Sequence, residues 1–255
     1  MITSTTNSRI KHVANLLTSA KTRHEERLFV VEGQRIVSEI PSEQICECYV
    51  TEKYLAENDI PHDFDYEVVS DQVFKKMSDT KTPQGILCVV KMSDKRVDDF
   101  LNEHTVGRLK LLVLESIQDP GNLGTMIRTC EAAGFDGIIA NSETVDIYNP
   151  KVIRSTMGGI FRVPVMYSDN LLDILNRLKQ QSVNICAAHL KGACDFKKAE
   201  YGSRTAVLIG NEGNGLSDEI SSMSNVLVKI PMSGKVESLN AAVAAALMMY
   251  EVTNY

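Results

Sequence analysis

Ala206-Val207-Leu208-Ile209-Gly210-Asn211-Glu212-Gly213-Asn214-Gly215-Leu216 is an apolar strand running straight into glycines and amides. Val226-Leu227-Val228-Lys229-Ile230-Pro231-Met232 repeats the pattern, and after a short turn Ser238-Leu239-Asn240 opens an apolar helix over 241–250. Each stretch sets backbone N–H groups and small side chains at the end of a strand, which is where a flat polar ligand can be held. Two such transitions near the end of a chain point to an α/β sheet with its ligand site at the strand ends.

Working outward, 109–114 is another wholly apolar run, of the kind buried in a parallel sheet. A helix over 122–133, a strand over 137–140, a short helix over 150–157 and an edge segment over 163–167 follow. A helix over 171–180 and a strand over 183–188 lead back to the opening stretch. Repeated strand-then-helix units imply a doubly wound parallel sheet. Upstream, 8–27 reads as helical from Ile10, Val13, Leu16 and Leu17, and short strands and helices alternate to residue 91. The organisation expected is therefore a domain over 1–98, a polar linker over 99–107 and a second domain over 108–255.

Composition narrows the function classes. The 255 residues, 44% hydrophobic and 24% charged, suit a soluble globular protein. No run reaches the roughly 18 apolar residues that cross a bilayer, and the first residues lack the apolar core of a signal peptide. The six cysteines form no CxxC pair, and the five histidines, at 12, 24, 62, 104 and 189, show no metal spacing. A cytoplasmic protein with reduced, buried thiols and no metal is expected. The net charge of −6 argues against a uniformly cationic RNA-binding coat, so nucleic acid would need local patches. Two candidates are Arg9, Lys11, Lys21, Arg23 and Arg27, and Lys151, Arg154 and Arg162, each of which also reads as a solvated face.

Gly210 to Gly215 spells GxxGxG, not the GxGxxG of a dinucleotide site, and lacks the Lys-Ser/Thr of a phosphate loop. Glu212 would repel phosphate, so a neutral or cationic ligand fits better; a plain glycine turn is the competing reading. In Asp119-Pro120-Gly121-Asn122-Leu123-Gly124-Thr125-Met126-Ile127-Arg128, Asn122 can cap the helix. Arg128 sits six residues further on, either on a solvated face or aimed into the crevice to meet a phosphodiester. Ser238 reads as an N-cap, and the alanines after it allow close packing, within the chain or across a dimer.

Together these loops resemble the SpoU (TrmH-type) branch of the SPOUT RNA methyltransferases. The resemblance rests on 122–134, on 208–216, and on Ile230-Pro231-Met232-Ser233-Gly234 through Ser238-Leu239-Asn240. Arg154-Ser155 and 158–164 add to it, with Cys130 where alanine is usual and Gly159 where serine is common. Val31-Glu32-Gly33 and Thr82-Pro83-Gln84-Gly85-Ile86-Leu87 resemble that family's accessory substrate-binding domain. The fold implied is a C-terminal parallel-sheet α/β trefoil-knot (SPOUT) domain with a small N-terminal L30e-like α/β domain.

The activity implied is methyl transfer from S-adenosyl-L-methionine to a ribose 2′-hydroxyl of RNA, ribosomal RNA before transfer RNA, by a homodimer. An RNA-binding protein of this fold without activity is the alternative. By position, Gly210, Asn211, Ile230 and Leu239 match cofactor-contacting residues, and the 188–190 strand end is a further contact. Arg128, Asn122, Glu212, Ser238 and Asn240 match the catalytic group. Arg128 is then a base or a group that binds the neighbouring phosphate and stabilises the 2′-oxyanion. Guanidinium groups hold their protons so strongly that the second role is preferred.

Overall fold

The computed structural model describes residues 1–60, 64–190 and 194–254, so His62 and Tyr255 lie outside the described residues. Ile10, Val13 and Leu16 are the buried face of α1 (Ser8–Thr18). Ser19 ends that helix and caps α2 (Ala20–Glu26), so the one helix expected over 8–27 is two. There follow β1 (Leu28–Glu32), α3 (Gln34–Val37), β2 (Ile45–Thr51), α4 (Glu52–Glu57), β3 (Glu67–Val69), α5 (Asp71–Met77) and β4 (Ile86–Lys91). The sheet order is β1-β4-β2-β3, with β4 antiparallel to both neighbours and β2 parallel to β3. One core joins α1 to Tyr49, Phe74 and Leu87. Cys46 was expected inside but is exposed. The register of β2 on β4 shifts between Ile45 and Glu47, and such a bulge re-aims the side chain it carries.

The remaining elements are α6 (Val97–Glu103), β5 (Leu109–Leu114), α7 (Pro120–Ala132), β6 (Gly137–Asn141), α8 (Pro150–Thr156), β7 (Val165–Ser168), α9 (Leu171–Gln180), β8 (Asn184–Ala188), β9 (Cys194–Asp195), β10 (Arg204–Ile209), α10 (Asp218–Ser222), β11 (Val226–Lys229) and α11 (Ala241–Thr253). Seven strands form one sheet in the order β7-β6-β5-β10-β8-β11-β9, every pair parallel. The parallel α/β expectation stands, with the two-residue edge strand β9 added. Residues 99–103 of the linker expected over 99–107 belong to α6, which buries Phe100 and Leu101. β5 is buried along its whole length. Even Lys110 is 1% exposed, its ammonium donating to Val252 O at 2.7 Å. Burial pushes that ammonium's pKa down, Arg108 adding to the effect and Asp136 opposing it. The chain end thus comes back over the sheet: α11 packs on α7 and β10, as a knotted terminus requires.

Chain contacts separate two units, Met1–Asp94 with Asp146–Phe161, and Lys95–Val145 with Arg162–Tyr255. The excursion 146–161 is held in the first unit by specific bonds. Arg23 donates from Nε and Nη2 to Asp146 Oδ2 at 3.1 and 2.7 Å. Tyr148 accepts from Ser93 N at 3.1 Å and lays its ring 4.7 Å from that of Phe29.

Candidate active site

Three loops meet at the carboxyl ends of β5, β10 and β11. Asp119, not Asn122, caps α7, accepting from Asn122 N at 2.8 Å with Pro120 in the first turn. That frees the Asn122 side chain, whose Nδ2 donates to Glu212 Oε1 at 3.0 Å. Glu212 also accepts from Gln118 N at 3.1 Å and Asp119 N at 3.0 Å. Burial tends to raise its pKa, but the bonds from Asn122, Asp119 and Gln118 outweigh that and hold the carboxyl below the usual range. A carboxylate so engaged is a brace for the Gln118–Asn122 turn and a poor proton acceptor.

Asn240 extends the same chain of amides. Its Nδ2 donates to Asn122 Oδ1 at 2.9 Å, while its Oδ1 caps α11 by accepting from Ala242 N and Val243 N at 2.9 and 3.2 Å. The cap read at Ser238 therefore falls two residues later. Asn122, Glu212 and Asn240, distant in sequence, are one hydrogen-bonded unit. Ser238 stands outside it, with no hydrogen bond among the described residues, and lines the cleft described next.

Two adjoining hollows of about 290 and 360 Å³ open beside these loops. Both are bordered by Ala188, His189, Leu190, Ser238, Leu239 and Ala244. The first adds Ile230 and Met232, and the second adds Ile209 and the whole 210–216 loop. Gly210 is required there by space: a Cβ would lie 2.2 Å from Gly215 C and Leu216 N. The loop closes on itself through Asn211 N to Gly215 O at 3.0 Å and Gly215 N to Asn211 O at 2.9 Å. Asn211 lines the hollow, but its side chain braces the loop, donating to Ser116 O at 2.8 Å and accepting from Gly213 N and Asn214 N at 3.0 Å each. Ser116 itself has φ +57, a left-handed residue at the end of β5 of the sort that collects at functional sites.

Arg128 is exposed on α7 and makes no hydrogen bond or ion pair among the described residues. It borders neither hollow. Of the site residues expected from sequence, then, Gly210, Asn211, Ile230, Leu239, Ser238 and Glu212 border the hollows, Asn122 joins through Glu212 and Asn240 through Asn122, and Arg128 stands apart. Sequence reasoning missed Glu115, which accepts from Ser217 N and Oγ at 2.8 and 2.7 Å and so anchors the exit of the glycine loop. It also missed Gln118 and Ala244. Glu115 and Gln118 were findable, because they follow β5 at the strand ends.

The basic patches change character. Arg23 is 4% exposed and bonded to Asp146 and to Leu16 O. Arg9 pairs with Glu67 at 2.9 Å and Arg27 with Asp94 at 2.5 Å. Arg154 pairs with Asp79 at 2.9 Å, and Arg162 with Glu131. The arginines of both patches are thus paired with carboxylates, while Lys11 and Lys151 are exposed. Among the described residues no cluster of His, Cys, Asp or Glu could hold a metal ion, and no helix is long and apolar enough to cross a membrane.

Residues 110–250 match the model of the SpoU rRNA Methylase family, and residues 7–88 match that of an MRM3-like substrate binding domain. The 23S rRNA (guanosine(2553)-2′-O)-methyltransferase RlmP of Bacillus subtilis is 30% identical over 253 residues, 98% of each chain. An AdoMet-bound rRNA methyltransferase from Sinorhizobium meliloti superposes with a TM-score of 0.86 at 28% identity, covering 99% of this chain and 97% of that one. A solved RNA 2′-O ribose methyltransferase gives 0.84 at 28% identity, covering 99% and 98%.

Proposed function

We propose that this chain, which belongs to the SpoU rRNA Methylase family, is an S-adenosyl-L-methionine-dependent RNA ribose-2′-O-methyltransferase acting on ribosomal RNA. The observation that carries the reading is the cleft formed where the glycine loop after β10 and the 230–239 segment meet beside the Asn122–Glu212–Asn240 unit. The residues present fit the cofactor. Ile230, Leu239, Ala188 and Ala244 offer apolar surface for a flat base, and backbone groups of 210–216 offer polar contacts. When bound, S-adenosyl-L-methionine supplies an electrophilic methyl group on a sulfonium.

The chain's own residues divide the remaining work. Gly210, Asn211, Ile230 and Leu239 hold the cofactor, mainly through backbone and apolar contact. Glu212, Asn122 and Asn240 fix the three loops against one another, so that cofactor and ribose meet at a set distance. Ser238 offers a free hydroxyl at the cleft lip to orient the ribose 2′-hydroxyl. Arg128, exposed and without an ion-pair partner, binds the adjacent phosphate and stabilises charge developing on the 2′-oxygen. The hydroxyl proton leaves to water, since the three donors on Glu212 hold its pKa down and make it a poor base.

A homodimer is part of the proposal. Val243, Leu247 and Tyr250 are 48%, 39% and 54% exposed on the outward face of α11, an i, i+4, i+7 stripe suited to a partner helix. The 1–98 segment is proposed as the L30e-like RNA-binding domain and 108–255 as the methyltransferase domain, in a cytoplasmic protein with free thiols. Calorimetric titration tests the site. S-adenosyl-L-methionine and its demethylated product should both bind and NAD should not; NAD binding alone would overturn the proposal.

A further inference from the structure

We propose that the cleft between α4, α5 and the Pro83–Gly85 turn of the N-terminal unit is a nucleotide pocket that receives one unpaired base of the RNA substrate, which rests on the RNA methyltransferase reading above. The cleft encloses about 470 Å³, within the range of small-molecule sites. Its floor is the buried Tyr54 and Phe74, 2% and 1% exposed, with Pro83 beside them. Three carboxamides, Gln34, Asn58 and Gln84, line its walls.

That lining selects a chemistry. A nucleobase is flat and uncharged, with alternating donors and acceptors along its edge, and a set of carboxamides offers such an edge both donors and acceptors. Sequence-reading RNA proteins take unstacked bases in this way. A site for phosphate alone would not place carboxylates beside its cations. Here Lys53 and Lys75 at the lip are opposed by Glu57 and Asp71, so the mouth is close to neutral. The two ammonium groups suffice for the phosphates flanking one base.

The donor aimed at that base is fixed before it arrives. Gln34 N donates to Gln84 Oε1 at 2.9 Å. The Gln84 carbonyl is thereby occupied, and its NH₂ has no partner among the described residues. Glycines hold the two turns that carry this bond. Gly33 has φ +101, and a Cβ there would come 3.0 Å from Gln84 Oε1. Gly85 has φ +88, and a Cβ would meet Thr51 Oγ1 at 2.5 Å and Tyr54 Cβ at 3.1 Å. Larger residues at either position would move Gln84 off the cleft. Asn58 donates its Nδ2 to Tyr54 O at 3.3 Å, which turns its carbonyl oxygen outward as an acceptor.

The test uses the full chain and a full-length 23S rRNA transcript, read by filter binding across a salt series and by ultraviolet cross-linking with mass spectrometry. Q84A should weaken RNA binding about tenfold, the upper end of what one net hydrogen bond contributes. Affinity for S-adenosyl-L-methionine should stay unchanged. The double variant K53A/K75A, both positions exposed on the surface, should lower the slope of log K against log salt by about 2. Cross-linked nucleotide should map to Tyr54 or Phe74. RNA binding by both variants equal to wild type, or cross-links confined to other regions, would overturn the pocket. Should Q84A fail to fold, the double variant and the cross-link map decide. Neither readout needs methyl transfer, so a wild type that binds rRNA without methylating it would count against the enzyme assignment and leave the pocket to be judged by binding.

Discussion

Replacing Gly210 by alanine puts the cofactor assignment under the most direct strain. The added Cβ would sit 2.2 Å from Gly215 C and Leu216 N, where ordinary contact begins at 3.4 Å. The obstacle is backbone and cannot rotate away, so the 210–216 loop must retreat by about 1.2 Å. That movement breaks the paired Asn211–Gly215 bonds at 3.0 and 2.9 Å and strains Asn211 Nδ2 to Ser116 O at 2.8 Å. At about 1 kcal/mol net for each bond, holding the loop in its native form costs about 2 to 3 kcal/mol. A ligand that needs the native loop should therefore bind roughly 30- to 150-fold more weakly. Calorimetry with S-adenosylhomocysteine reads this directly, and a thermal melt checks that the sheet survives, because Leu216 at the end of the loop belongs to the core. Affinity within threefold of wild type, with the variant folded, would refute the placement of the cofactor against this loop.

Three other outcomes are expected. Arg128→Ala should lower kcat by at least about a hundredfold, the scale of a lost oxyanion donor, with cofactor affinity within twofold; loss of cofactor binding would show the arginine misassigned. Because the folded pKa of Glu212 lies below the usual range, its bracing is fully present above the ordinary carboxylate value of about 4.3. It is lost as pH falls through the lowered folded value. Cofactor affinity followed downward from pH 6 should therefore fall on the acid side in wild type and lose that inflection in Glu212→Gln. Leu247→Asp places a charge in the exposed apolar stripe of α11 and should convert a dimer to monomer in light scattering, whereas an unchanged mass would remove α11 from the interface.

Local patterns carried much of this structure. The apolar runs of β5 and β10 were legible as buried parallel strands, because burial on both faces erases alternation, and the loops at the strand ends as the place to seek a site. What stayed hidden depended on partners far along the chain. Arg23 looked like part of a basic surface until Asp146, 123 residues away, was found against it; the same bond ties 146–161 to the first unit. Asn122 and Ser238 both had the composition of caps, yet Asp119 and Asn240 cap the helices. Only the chain's course to either side decides which of several polar residues takes the non-helical cap conformation. Glu212 was recognisable as part of the glycine loop that borders the hollow, but its bracing bonds come from donors 90 to 94 residues upstream. Cys46 escaped the core through a register shift that no spacing rule announces.

Methyl groups should pass from S-adenosyl-L-methionine to ribose oxygens of RNA. Purified protein should be incubated with 23S rRNA transcript and cofactor bearing a trideuterated methyl, and the RNA then digested to nucleosides for mass spectrometry. The label should appear on the ribose fragment of a single nucleoside and be absent with Arg128→Ala. Label on a base, or none from a protein that binds the cofactor, would contradict the assignment.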